Sequence, residues 1–427
     1  MNKFTSGKER KYFPLSLILA MFYYALIFLL MQSHIIGNDE NSIYTRIPFV
    51  LGVIMLFFLL VEFKNDISIP LNIIICFIWF AIAYFIAGFY GPTGIFEAIR
   101  GFFSITGIGI VLVFAARKYY LLRSFKSVML WVGLINAIYG LLFIFLDLTK
   151  IGNFLANLNL PPGVSLDEGI RVIGLMGDPT YCGLLLMASF FISYERFLSN
   201  KTKFFNFNFI SIIILAVALF LTLSRSTWVA LIVGMLTWQF TSYKREWKSW
   251  FLIVIIFVVI YIILFNIEYI LSSFLGRVDI DTMDTRTWVW KSYFKLALKE
   301  PFGYGLGSIE SLRWYATAGQ PFESTYRPHN YFLIIWLEIG IQGLLPFLVM
   351  IGLALKKVLG TLEYYDIQTR EYPGRLAITL LMSFCVGIFS LGGLSQIMFI
   401  ILAMCLLIDG FVKQGKLVAD IKQSRIV

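Results

Sequence analysis

Charge is scarce in this sequence. Asp, Glu, Lys and Arg supply 14% of its 427 residues, while 59% are hydrophobic. A soluble domain carries about 25% charged residues, so the shortage excludes an ordinary water-soluble globule. Histidine is nearly missing: His34 and His329 are the only two. Proton transfer by imidazole near neutral pH therefore has just those two candidates. Cysteine is confined to Cys76, Cys182, Cys385 and Cys405, all in or beside apolar segments and none at metal-ligand spacing. They read as small core residues, and no metal site is expected. The short alternating segments of a membrane β-barrel are not seen. No small-residue cleavage site follows the apolar run 15–31, so that run is expected to stay in the protein behind its basic start.

What is present is a series of apolar runs of about 17–25 residues, the length of a membrane helix. The reading is an all-α polytopic membrane protein of about twelve transmembrane helices, with one long extracytoplasmic loop that contains amphipathic helices. The expected spans are 15–31, 47–62, 71–89, 95–116, 127–146, 179–198, 207–223, 227–241, 250–268, 331–355, 376–391 and 394–412. Residues 1–427 form one integral-membrane domain in this reading, and 269–329 is a long extracytoplasmic loop between spans nine and ten. Most of the Lys and Arg residues then fall on one side, beginning with Lys3, Lys8, Arg10 and Lys11 and ending with Lys413, Lys416, Lys422 and Arg425. The positive-inside rule makes that side, with both termini, cytoplasmic. The net charge of +10 is accounted for by these loops rather than by a nucleic-acid partner.

The stretch 204–243 tests the span count. It is apolar except for Ser224-Arg225-Ser226, and basic residues flank both ends: Lys201 and Lys203 before, Lys244, Arg245 and Lys248 after. Two cytoplasmic ends require a hairpin, which puts Arg225 at its outer apex. An arginine there is costly unless it meets water or an anion. In the long loop, Asp284 reads as the N-cap of an amphipathic helix that runs to about Glu300 and stops at Pro301. Lys291, Lys295 and Lys299 form its basic stripe, and Trp288, Trp290 and Phe294 suit the membrane interface. A second short helix is expected from Glu310 to Ala316. The turn Gly303-Tyr304-Gly305-Leu306-Gly307 has no preceding strand and no Lys-Ser pair, so it is not a phosphate-binding loop. Its glycines let backbone turn beside a ligand or a neighbouring helix.

Two guanidiniums, Arg225 and Arg286, at the outer surface suit a diphosphate. His329, at the mouth of the tenth span, suits a general base. Asp279, Asp281 and Asp284 lack the spacing of a calcium loop. Glu62, Glu97, Arg100, Glu195 and Glu338 do not make a relay through the spans, which weighs against a proton-coupled transporter. Glu338, nine residues beyond His329, is expected to pair internally.

In order, the chain carries Gly177-Asp178-Pro179 opening a span, Ser224-Arg225-Ser226, Thr285-Arg286 with Trp288, Pro301 to Gly307, and His329-Asn330 with Glu338 and Gly340. In that order and sidedness it resembles the O-antigen ligase and O-antigen polymerase superfamily of integral-membrane glycan transferases. The resemblance implies a glycosyltransferase of surface polysaccharide synthesis in the bacterial inner membrane, with its site on the extracytoplasmic face. It implies an inverting transfer that needs no metal, cofactor or nucleotide sugar. The donor would be a glycan on undecaprenyl diphosphate, gripped by Arg225 and Arg286, and His329 would deprotonate an acceptor hydroxyl. Arg171, Tyr326, Arg327 and Trp288 follow as substrate-binding candidates. The motifs do not separate a polymerase, whose acceptor is another lipid-linked glycan, from a ligase, whose acceptor is lipid A-core. Polymerase is favoured because that activity occurs with and without an outer membrane. The reading from another class is a flippase or transporter of lipid-linked glycans. It would also grip a diphosphate, but no internal repeat supports it.

Overall fold

A computed structural model describes residues 70–103, 106, 119–145, 164–165, 171–199, 206–241, 281–317, 327–364, 371–390, 398–399, 401–406, 408 and 412. The described residues are mostly helical. Its elements are α1 (Leu71–Tyr90), α2 (Tyr119–Phe145), a two-strand hairpin of β1 (Val164–Ser165) and β2 (Arg171–Val172), α3 (Pro179–Ser199), α4 (Phe207–Leu221), α5 (Arg225–Thr241), α6 (Asp281–Lys299), α7 (Ile309–Thr317), α8 (Tyr331–Ile339), α9 (Ile341–Leu359) and α10 (Pro373–Gly387), followed by a 3-10 turn, Ile388–Ser390. Among the described residues four helices are long and apolar enough to cross a membrane: α1, the 126–144 part of α2, α3 and α9. The expected spans 15–31, 47–62 and 250–268 lie outside the described residues, as do parts of 95–116 and 394–412 and the residues His34 and Tyr326.

The bundle is organised around α3. Asp178 caps it, accepting from the N–H groups of Thr180 (2.7 Å) and Tyr181 (2.9 Å) ahead of Pro179. The Asp-Pro pair therefore opens a helix as expected. From Cys182 to Phe197 nearly every residue is buried, because α2, α4, α5 and α10 all pack on it. Small residues permit that crowding. A Cβ on Gly183 would stand 2.7 Å from Thr227 Cγ2 of α5, the close approach typical of membrane helices. The outward faces of α1 (Ile75, Ile78, Ile82, Ile86) and α5 (Val229, Ile232, Leu236, Phe240) are exposed and apolar, as a lipid solvent requires.

The stretch 204–243 is two helices, α4 and α5, joined by the turn Thr222–Ser224. The arms diverge instead of lying together: α4 packs on α3 and α2, and α5 on α10. Arg225 is the first residue of α5. The apolar run 331–355 differs from the expected single span. Gly340, at φ 88 and ψ −179, ends α8 and starts α9, a conformation open essentially to glycine alone. The membrane-length helix begins at Ile341. Helix α6 starts at Asp281, about one turn before the expected cap Asp284. Acidic residues occupy both positions, and either suits a helix N-terminus.

At the end of α3 away from Asp178, charges gather in the interior. Lys126 Nζ lies 2.7 Å from Glu195 and 2.5 Å from Glu371. Glu195 also accepts from the Tyr372 N–H at 3.1 Å, and Arg196 reaches Ser127 Oγ at 2.8 Å. Lys126 and Glu195 side chains are at most 3% exposed. This cluster ties α2, α3 and the start of α10. Removing its cation strands two buried carboxylates. Lys126→Met should therefore destabilise the purified protein by about 3–5 kcal/mol, read from its unfolding midpoint in detergent. A loss under about 1 kcal/mol would show that the carboxylates reach water.

Candidate functional site

The glycine-rich turn has a structural task set by the break at Gly340. Ending α8 there frees carbonyls of its last turn. The Tyr304 N–H donates to Leu337 O (2.6 Å), Gly305 N–H to Glu338 O (3.1 Å), and Ile341 N–H to Pro301 O (2.8 Å). The Glu338 carboxylate accepts from the Gly307 N–H at 3.1 Å, so this acid does pair internally. On its other side the turn meets α1, with Leu306 N–H to Ala87 O (3.1 Å) and Thr93 N–H to Leu306 O (3.1 Å). Gly303, Gly305 and Gly307 all have positive φ. A Cβ on Gly305 would run into the Gly91 backbone. The glycines thus serve a neighbouring helix, the second of the two expectations.

This clamp sets α6 and α7 against α8. Val289, Tyr293 and Ala297 of α6 recur every four residues and bury against Leu312 and Ala316 of α7 and Leu333 and Leu337 of α8; Trp288 packs against the same cluster, half-buried. Burial, reinforced by Glu310, pushes the Tyr293 phenol up to about 12. It stays protonated near neutral pH and is no rival to His329 as a proton acceptor.

From α6 the Trp290 indole N–H donates to the Pro328 carbonyl at 2.6 Å. Pro328 is buried and His329 exposed. His329 sits at φ 38, one of two non-glycine residues with positive φ among those described. Such strain persists only where the surroundings over-determine it. Here Trp290 holds the residue before, and Asn330 holds the residue after by capping α8, its side chain accepting from the Leu333 N–H at 3.2 Å. Position 286 lies four residues before Trp290 on α6, hence on the same helix face. Arg327 forms an ion pair with Glu310 of α7, which also meets Arg313 at 3.3 Å.

An apolar groove of about 620 Å³ runs between α6, α8 and α9. Its walls include Trp290, Phe294, Trp336 and Leu348, and Thr287 and Asn330 also line it. Those two are the chain neighbours of Arg286 and His329. One groove therefore touches the segments that carry both expected site residues.

Arg171 reaches the turn that leads into Arg225. Arg171 Nε donates to Thr222 O at 3.1 Å. Leu223, the second strained residue, has φ 51 and leads into Ser224 and Arg225. Phe220 stacks on Trp228 across this turn, with centroids 4.7 Å apart. Arg225 stands at the N-terminus of α5, where the helix dipole is already positive. Cation and dipole end reinforce one another as an anion site. The guanidinium of Arg327 acts electrostatically on Tyr181, in the first turn of α3. That places the 327–330 segment near the Asp178 end of α3.

Several of these residues were not legible beforehand. Asn330 as a cap follows from an Asn before an apolar run. Nothing in the sequence marks Leu223 or Thr222, and Trp290 was expected at the membrane interface and not on the Pro328 carbonyl, because these roles are backbone strain and contacts between distant segments.

If Trp290 fixes the His329 backbone, Trp290→Phe should keep the fold and release Pro328. The loss is about 1 kcal/mol. Amide exchange across 329–333 should rise severalfold while that of α3 stays unchanged. Unaltered exchange at 329–333 would show that the bond does not hold the segment.

No curated protein matches the chain. Residues 210–348 match the family model described as O-antigen ligase. The match runs from α4 into α9 and takes in Arg225, Arg286, the glycine-rich turn, His329 and Glu338. Over that third of the chain it is similar to the O-antigen ligase family, which supports the resemblance to the O-antigen ligase and polymerase superfamily of membrane glycosyltransferases.

Proposed function

We propose that this protein is a metal-independent, inverting glycosyltransferase that moves a glycan from undecaprenyl diphosphate to an acceptor sugar hydroxyl. It acts at the extracytoplasmic face of the bacterial inner membrane, and both termini are cytoplasmic. The observation that carries the reading is the apolar groove, which is lined by the neighbours of Arg286 and His329. A polyprenyl chain is the kind of ligand that fills an apolar groove whose polar end carries a cation and a base.

In this mechanism the diphosphate sits at the N-terminus of α5 against Arg225, with Arg286 on α6 as the second guanidinium. His329 takes the acceptor hydroxyl proton. The acceptor oxygen attacks the anomeric carbon from the face opposite the leaving group, and the bond from that carbon to the phosphate oxygen breaks. The departing lipid diphosphate gains negative charge, which the two arginines stabilise. His329 is exposed, so an acceptor sugar can approach it. Trp288, Tyr326 and Arg327 are the sugar contacts in this reading. Arg327 would exchange its Glu310 partner for substrate.

The preferred acceptor is a second lipid-linked glycan, which makes the protein a polymerase. Transfer to lipid A-core is the second reading, supported by the description of the matching family as O-antigen ligase.

Removing a general base costs about 10²–10⁴ in rate. His329→Ala should lose transfer on that scale and still bind lipid-linked donor. Undiminished transfer by His329→Ala would sink the mechanism. Incubation of the purified protein with lipid-linked repeat units alone separates the two acceptors: lengthening chains mark a polymerase, and product only after lipid A-core is added marks a ligase.

A further inference from the structure

Arg171 does not line the groove, and its Nε–H goes to backbone. Thr222 ends α4, with φ −64 and ψ −20. Its carbonyl is among those a helix leaves without an intrahelical partner. The next residue, Leu223, takes φ 51, a conformation a leucine adopts only under constraint. Local ties exist: Leu223 N–H donates to Phe220 O at 3.1 Å, and Ser224 N–H to Thr222 Oγ1 at 3.3 Å. Phe220 and Trp228 stack across the turn. Arg171 adds a tie from 51 residues away, Nε to Thr222 O at 3.1 Å. Its own position is set by strand pairing, Ser165 opposite Arg171. A cation at the C-terminus of α4 is also favoured by the helix dipole.

We propose that Arg171 is a positioning residue for Arg225: its Nε–H, held on the Thr222 carbonyl, keeps the left-handed Leu223 turn that sets Arg225 at the head of α5. This departs from a substrate-binding role for Arg171. Its activity arm rests on the glycosyltransferase reading above, and its structural arm does not. The chemistry separates the two roles. A substrate-gripping arginine works by its charged fork, whereas a turn-holding one works by a single N–H.

Two variants of the full chain, matched to each other in length and both without the guanidinium fork, decide between them. Arg171→Gln places an uncharged amide N–H where Nε stood, and Arg171→Met puts a methyl there, with no donor. Amide exchange over 220–228 should stay near wild type in Arg171→Gln and rise about tenfold in Arg171→Met. Transfer should follow, with kcat/KM within about threefold for Arg171→Gln and down about tenfold or more for Arg171→Met. In an Arg225→Lys background Arg171→Met should add no further loss, because it acts through Arg225. Faster exchange in both variants or in neither overturns the proposal. So do equal losses of transfer in both variants with multiplying effects in the double variant. If the protein shows no glycan transfer at all, the exchange data still decide the role of Arg171, while the functional reading fails separately.

Discussion

The carbonyls of Leu337 and Glu338 cannot be left bare inside an apolar bundle. A break at Gly340 frees them, and the N–H groups of Tyr304 and Gly305 take them up. An unsatisfied backbone group in such surroundings costs several kcal/mol, so the glycine-rich turn has little freedom to lie elsewhere. With the turn fixed, α6 and α7 lie against α8, and Trp290 reaches Pro328. The exposed His329, the groove beside it and the place of Arg286 on α6 all follow from that one capping arrangement.

Among the described residues, two turns carry the backbone strain, one at Leu223 and one at His329. His329 at φ 38 lies between an indole bond to Pro328 and the cap of α8 at Asn330. Leu223 at φ 51 lies between two helices that diverge onto different neighbours. Each strained residue stands within two positions of a residue expected to do chemistry. Stored backbone strain of this kind clusters at functional sites because rigid surroundings can hold a side chain in one direction. The far end of α3 uses a different device, the buried contacts of Lys126 with Glu195 and Glu371, to bind three helices together.

Much of this layout was legible because lipid imposes a coarse rule. Runs of apolar residues become helices, and charged residues mark their ends. The separation of α4 from α5 came from basic residues on both flanks of 204–243, and Asp178 with Pro179 gave the start of α3 from capping chemistry. The run 331–355 misled for a physical reason. Its residues are mostly apolar and long enough for one span, so hydrophobic length hides the break. The signal was local, Glu338, Gly340 and Gln342 close together, and a glycine in an apolar helix is common.

The sequence by itself determined a helical membrane protein, the position of Arg225 at a turn between helices, an amphipathic helix after residue 280 and a lone histidine before an apolar run. These follow from local composition, hydrophobic length and capping residues, which act over a few neighbours. Tertiary structure alone decided that the glycine-rich turn caps α8, that Trp290 holds the backbone before His329, and that Arg171 reaches the Thr222 carbonyl. Those are hydrogen bonds between segments tens of residues apart. They exist because buried polar groups must find partners, and only the folded packing determines which partners are near.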